Sequence, residues 1–146
     1  MGRIQITKIF YFEMAHALEG YDGLCRNIHG HSYTLRVTVT GMPLEDAASP
    51  KEGMIIDFSD LKQIVEKSII RQYDHALVLN SKTDSQIINT LRNHYDKIVT
   101  VNYQPTSELL LLDFAKILQN ALPSTINLYS LRLNETDASY AEWFDD

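Results

Sequence analysis

His29-Gly30-His31 places two imidazoles two residues apart. In an extended backbone, residues i and i+2 point to the same face, and Gly30 leaves room for close approach. A third imidazole, His16, ends the segment Ile4 to His16, whose Ile, Phe and Tyr content reads as a strand. The loop from Ala17 to Ile28, which carries Cys25, returns the chain to meet that strand end. Three neutral imidazoles converging on one point suit zinc, with Zn–N near ~2.0–2.1 Å and a fourth position left open for chemistry. A metal with an open position polarises a substrate oxygen or acidifies a bound hydroxyl. The competing reading of a lone His-x-His pair is two polar residues near a strand end.

Further residues with chemical potential surround this cluster in the sequence. Cys25 precedes His29 by four residues. It reads as a fourth zinc ligand, as a thiolate base activated by the metal and a nearby imidazolium, or as a partly buried small apolar residue. In Asp74-His75 a carboxylate can fix the tautomer of an imidazole and stabilise its charged form. The pair works only in a bent or helix-end backbone, and a histidine at a helix carboxy terminus is also favourable for dipole reasons alone. Glu108 reads as an acid in the first turn of a helix. Glu135 ends an apolar strand beside Asn134 and Thr136, and a carboxylate there suits paired hydrogen bonds to a guanidine-like edge such as the N–H pair of a pterin.

The elements that must position these groups follow from periodicity. Tyr33, Leu35, Val37 and Val39 alternate with Thr34, Arg36, Thr38 and Thr40, which predicts a strand with one buried face, ended by Gly41. Residues 42–52 form a turn-rich connection, and 53–58 a short extended piece. Ser59 is placed to cap a helix whose apolar face is Leu61, Ile64, Val65 and Ile69, ending near Tyr73. Within 81–104 the pattern is weakest, with a short helix over 87–91 and an extended run over 98–101. Pro105-Thr106 opens a second helix with the stripe Leu110, Leu111, Phe114, Leu118 and Ala121, stopped by Pro123. Asn127 to Asn134 alternates again, with Tyr129, Leu131 and Leu133 on one face, and the tail through Tyr140 and Trp143 forms a last strand or edge. Two strands, two helices and one or two strands predict an α+β layer. A sheet of about four strands has exposed edges, which favours pairing with other subunits.

The bulk properties bound the rest. A chain of 146 residues suits one domain. No run approaches membrane-spanning length. The segment from Met1 to Lys8 has no apolar block or cleavage site, and Ile6 breaks the myristoylation pattern begun at Gly2, so neither a signal peptide nor a lipid anchor is expected. A single cysteine allows no intramolecular disulfide and fits a reducing, cytoplasmic setting. With a formal charge of −6 and no basic cluster, nucleic acid is not an expected partner. A small anionic substrate remains compatible, because a metal and a few local cations dominate the field within a cleft.

Taken in order, several short stretches resemble the 6-pyruvoyl- and 6-carboxy-tetrahydropterin synthase family. They are Phe12-Glu13-Met14-Ala15-His16, Cys25 through Tyr33, Gly53-Met54-Ile55-Ile56-Asp57-Phe58, Tyr73-Asp74-His75 with Leu79-Asn80, Pro105-Thr106-Ser107-Glu108, and Glu135-Thr136. Together they cover nearly the whole chain as one pterin-synthase-like domain, 1–146. The resemblance implies a tunnelling fold: an antiparallel sheet with helices on one face, joined between subunits into an oligomeric barrel, commonly a hexamer made of two trimers with active sites between subunits. It implies zinc on His16, His29 and His31, with Cys25 as the proton-transfer thiol and Asp74 with His75 as its partner dyad, supplied by a neighbouring chain. Glu135 would anchor the pterin ring, with Thr106 and Glu108 lining its pocket. The substrate implied is 7,8-dihydroneopterin triphosphate.

The Cys-x-x-x-His-Gly-His spacing resembles the 6-carboxy type, whose product precedes queuosine and other deazapurines. The alternatives are the 6-pyruvoyl type, a non-catalytic zinc- or pterin-binding protein, and a structural zinc protein, which would have a closed site and unfold on chelation. Arg26 and Lys51 are candidates to hold the triphosphate. The stretch 81–104 is longer than in compact members and bears on the pocket rim.

Overall fold

Alternation organises the first hairpin. Strand β1 (Ile4–Ala17) buries Phe10, Phe12 and Met14, and strand β2 (His29–Gly41) buries Tyr33, Leu35, Val37 and Val39. Their antiparallel register pairs Phe12 with Tyr33, Met14 with His31 and His16 with His29. The same period of two that drives apolar side chains into the core therefore carries on into imidazoles at one end of the sheet. The computed structural model describes residues 2–146; Met1, where the segment read for a leader begins, lies outside them.

Strand β5 (Asn127–Thr136) pairs antiparallel with β2, and β6 (Ser139–Phe144) with β5. A bulge sets the phase of β5: Thr38 pairs with Ser130 and Val39 with Leu128, so Tyr129 is the extra residue. Leu128, rather than Tyr129, therefore joins Leu131 and Leu133 in the core. Two short strands extend the other side of β1. These are β3 (Ala76–Asn80) and β4 (Ile98–Val101), and both pair in parallel. The sheet order is β4-β3-β1-β2-β5-β6. The antiparallel sheet expected from the alternating segments is its four-stranded part, and the parallel pair is an addition.

One nearly continuous helical rod covers the core face. It runs from α1 (Phe58–Val65) through a π turn at Glu66–Ile70 into α2 (Arg71–Tyr73). It ends at Tyr73, where the apolar pattern predicts. Its cap is Asp57 and not Ser59: the Asp57 carboxylate accepts from the Ser59 N–H at 2.8 Å. The preceding 53–58 is correspondingly not a strand. It is a turn pinned by Leu44 N–H to the Met54 carbonyl at 3.0 Å and Gly53 N–H to the Leu44 carbonyl at 2.8 Å. Lys51 is paired here with Asp57 and Asp60.

Helix α4 (Ser107–Ala121) lies over β5 and β6 and buries Leu110, Leu111, Phe114 and Leu118. Its last residue, Ala121, is exposed, and Leu122 fills the corresponding space. Thr106 caps it, the hydroxyl accepting from Leu109 N–H at 3.3 Å. Thr106→Ala should lower stability by about 1 kcal/mol, the usual value of such a cap, and Thr106→Ser should restore it; a denaturant midpoint shift with unchanged slope is the check. The remaining helix, α3 (Ser85–His94), is the crossover between β3 and β4. Among the described residues no helix is long and apolar enough to cross a membrane.

Candidate functional site

His16, His29 and His31 meet at the end of the β1–β2 hairpin. The ring centroids lie 4.6 Å apart for His16–His29, 5.4 Å for His16–His31 and 5.0 Å for His29–His31. One nitrogen from each ring lies within 4.8 Å of the others, so the three can hold a metal ion. His16 is buried, and the other two are half-buried at the strand end.

The hydrogen bonds fix the orientation of two rings. His16 Nδ1 is 2.7 Å from the Pro105 carbonyl, and His29 Nδ1 is 2.7 Å from the Asn27 carbonyl. A carbonyl only accepts, so each Nδ1 carries a proton and each ring turns its Nε2 toward the other. These two Nε2 atoms face each other at 3.1 Å. Two bare lone pairs at that separation repel unless a proton or a metal cation lies between them. Two Zn–N bonds at a tetrahedral angle would place their nitrogens roughly 3.3 Å apart, close to the observed spacing. The donor set thus fits zinc, and carbonyl partners on the far nitrogens are the usual means of orienting ligating imidazoles. Burial holds the His16 pKa below its ordinary 6.5, opposed in part by the Pro105 carbonyl, and so keeps the ring in its metal-binding neutral form.

Glu135 comes to this cluster from β5. It sits at an irregularity in the β5–β6 pairing, between Asn134 opposite Tyr140 and Thr136 opposite Ser139. Its charge reaches both His16 and Tyr33; burial, reinforced by that charge, pushes the Tyr33 phenol well above its usual range. Thr106 and the exposed Glu108 begin α4 directly after Pro105. They are therefore tied to the His16 end of the site through the Pro105 carbonyl, although the Thr106 hydroxyl is occupied by its cap.

The Asp74-His75 pair closes the helical rod. His75 has φ of 62°, a left-handed conformation that costs a non-glycine residue about 1–2 kcal/mol. That bend is what lets adjacent side chains meet: His75 Nδ1 lies 3.0 Å from Asp74 Oδ1. Glu13 holds the pair through its backbone, its N–H donating to the same Asp74 oxygen at 2.9 Å and its carbonyl accepting from His75 N–H at 2.6 Å. His75 and His31 line one cavity of about 870 Å³, together with Glu13, Ser32, Tyr95 and Lys97.

Cys25 lies on a short 3₁₀ turn (Leu24–Arg26), exposed, as is Arg26. Its carbonyl accepts from Leu18 N–H at 3.1 Å, which folds the loop back onto the end of β1. Among the described residues the metal-capable group consists of the three imidazoles without Cys25, and the thiol is exposed rather than buried. The residues missed in the sequence act through backbone atoms. Asn27 and Pro105 offer carbonyls and Glu13 an N–H and a carbonyl, and main-chain contacts leave no mark on residue type.

The chain matches the family model described as 6-pyruvoyl tetrahydropterin synthase over residues 5–145. It is 38% identical over 143 residues to the 6-carboxy-5,6,7,8-tetrahydropterin synthase of Haemophilus influenzae, covering 95% of this chain and 97% of that one. The protein of the same name from Synechocystis is 33% identical over 140 residues, covering 95% and 92%. The solved 6-pyruvoyl tetrahydropterin synthase of Plasmodium vivax superposes with a TM-score of 0.75 at 21% identity, covering 100% of this chain and 99% of that one, a likeness of fold. With a histidine triad that can hold a cation and relatives matched along nearly its full length, the chain belongs to the 6-pyruvoyl tetrahydropterin synthase family.

Proposed function

We propose that this protein is a zinc-dependent 6-carboxy-5,6,7,8-tetrahydropterin synthase. It converts 7,8-dihydroneopterin triphosphate to 6-carboxy-tetrahydropterin, acetaldehyde and triphosphate, as a step toward queuosine and related deazapurines. The observation that supports the metal is the 3.1 Å approach of the His16 and His29 Nε2 atoms, with His31 completing the group. The product is argued from the 38% identical relative and from the spacing of Cys25 and His29.

Zinc on His16, His29 and His31 supplies, when bound, Lewis acidity toward the hydroxyls of the substrate side chain. Glu135 accepts the N–H pair of the pterin ring and orients it, with Thr106 and Glu108 completing the pocket. Cys25 takes the carbon-bound proton beside the ring. The Asp74–His75 pair delivers and receives protons at His75 Nε2, with Asp74 holding Nδ1–H. The unit is one domain, cytoplasmic, and works as a homo-oligomer, a hexamer of two trimers. The sheet ends in the edge strands β4 and β6, with exposed Tyr140 and Phe144 on β6 available to another subunit. Active sites between subunits bring the dyad of a neighbouring chain to the metal and to the exposed Cys25.

The test is product analysis by mass after incubating the zinc-loaded protein with dihydroneopterin triphosphate. Acetaldehyde with 6-carboxy-tetrahydropterin is the expected result. A retained three-carbon diketone side chain would instead identify the pyruvoyl reaction on the same site, and absence of turnover with zinc in place would leave a binding protein.

A further inference from the structure

The segment between β3 and β4 returns to the sheet at Lys97, whose side chain does not point idly into solvent. Its ammonium donates to the Arg71 carbonyl at 2.8 Å and to the Asp74 carbonyl at 2.6 Å. Both acceptors belong to the end of the helical rod, where the last carbonyls have no intrahelical partner and a cation is favoured. The Asp74 carbonyl is also part of the peptide unit that leads into His75. Its orientation sets the ψ of Asp74 and the φ of His75, which is the left-handed residue of this helix end. Where a helix ends in that conformation, a glycine usually takes the position without strain. Here the bend is imposed on histidine and held from two sides, by the backbone of Glu13 on β1 and by the side chain of Lys97 ahead of β4.

We infer that Lys97 is a positioning residue for the Asp74–His75 pair, holding the Asp74–His75 peptide so that the imidazole stays on its carboxylate partner. This rests on the proposed synthase reading for its effect on turnover but not for its effect on the ring. Lys97 does not itself touch reacting atoms. It acts by fixing one peptide plane, and the loss of that restraint leaves His75 free to relax toward ordinary φ and away from Asp74 Oδ1.

The test compares Lys97→Met, which keeps the aliphatic stem, with Lys97→Arg, which keeps the charge and donors. In the zinc-loaded full chain, Lys97→Met should lower kcat by roughly 10–100-fold, the scale of a small misplacement of a catalytic group, with KM within about 3-fold of wild type. Lys97→Arg should recover most of the loss. Long-range ¹⁵N NMR of the His75 ring reads the same point without turnover: the wild type shows the Nδ1–H form selected by Asp74, and Lys97→Met shows a mixture of tautomers. An unchanged His75 spectrum in Lys97→Met overturns the inference, whatever the substrate. So does a raised KM at constant kcat, which would make Lys97 a substrate-binding cation. If the wild type turns over no pterin triphosphate, the functional reading fails while the ring spectra still decide the role of Lys97.

Discussion

Cys25→Ala is expected to reduce kcat about 10³-fold or more while zinc content stays at the wild-type level. General acid–base groups contribute typically ~10²–10⁴-fold, and this chain has no second thiol to take over. The metal should survive because the three-imidazole group is complete without the sulfur. Cys25→Ser should be nearly as inactive, since a hydroxyl is a far weaker proton acceptor than a thiolate. Single-turnover kinetics paired with metal analysis on the same preparation checks both halves. A fully active alanine variant would remove Cys25 from the mechanism, and a variant inactive only because its zinc is gone would move the thiol into the metal shell.

His29→Ala is expected to remove zinc and turnover together while the chain stays folded. It deletes one of two opposed lone pairs, whereas His16 keeps its Pro105 partner in the interior. Loss of an outer-shell partner alone typically costs 10–100-fold in metal affinity, so loss of a ligand should exceed ~100-fold. Titration with a competing chelator measures this directly. The fold should persist because the large apolar core formed by β1, β2, β5 and the helices lies beyond the triad. Chelation of the wild type should accordingly abolish activity, restored by added zinc, with little change in far-ultraviolet circular dichroism. Global unfolding on chelation would instead mark the metal as structural.

How far these features can be read from residues alone depends on what kind of contact makes them. Alternation in Tyr33, Leu35, Val37 and Val39 specifies a half-buried strand, and continuing it backwards reaches His31 and His29, so the metal group is legible as a pattern. The strand Ala76–Asn80 carries no such alternation. It is a parallel strand, buried almost throughout, and its short apolar run has no period to detect. Tyr129 is misplaced by a period-two reading because a single extra residue there inverts the faces of the strand before it. Ser59 and Asp57 are both competent caps, and which one serves is decided by the turn at 53–56 that delivers the chain. The dyad is legible as a pair of types, whereas the left-handed bend that joins it depends on the Glu13 carbonyl and N–H and on the Lys97 ammonium, far away in sequence.

The π turn at Glu66–Ile70 carries one residue more than α-helical geometry needs, and it stands immediately upstream of the dyad. Each residue of an α-helix advances the chain by about 1.5 Å and turns it by roughly 100°. Removing one residue from this turn would leave a regular helix and an intact apolar stripe ahead of it, yet would rotate Tyr73, Asp74 and His75 by that angle. Tyr73 would leave its edge-on contact with Phe114, and His75 would swing off the wall it shares with His31. The helix works as a gauge whose length is set by an insertion, and a shortened natural variant would announce a displaced dyad before any site residue had changed.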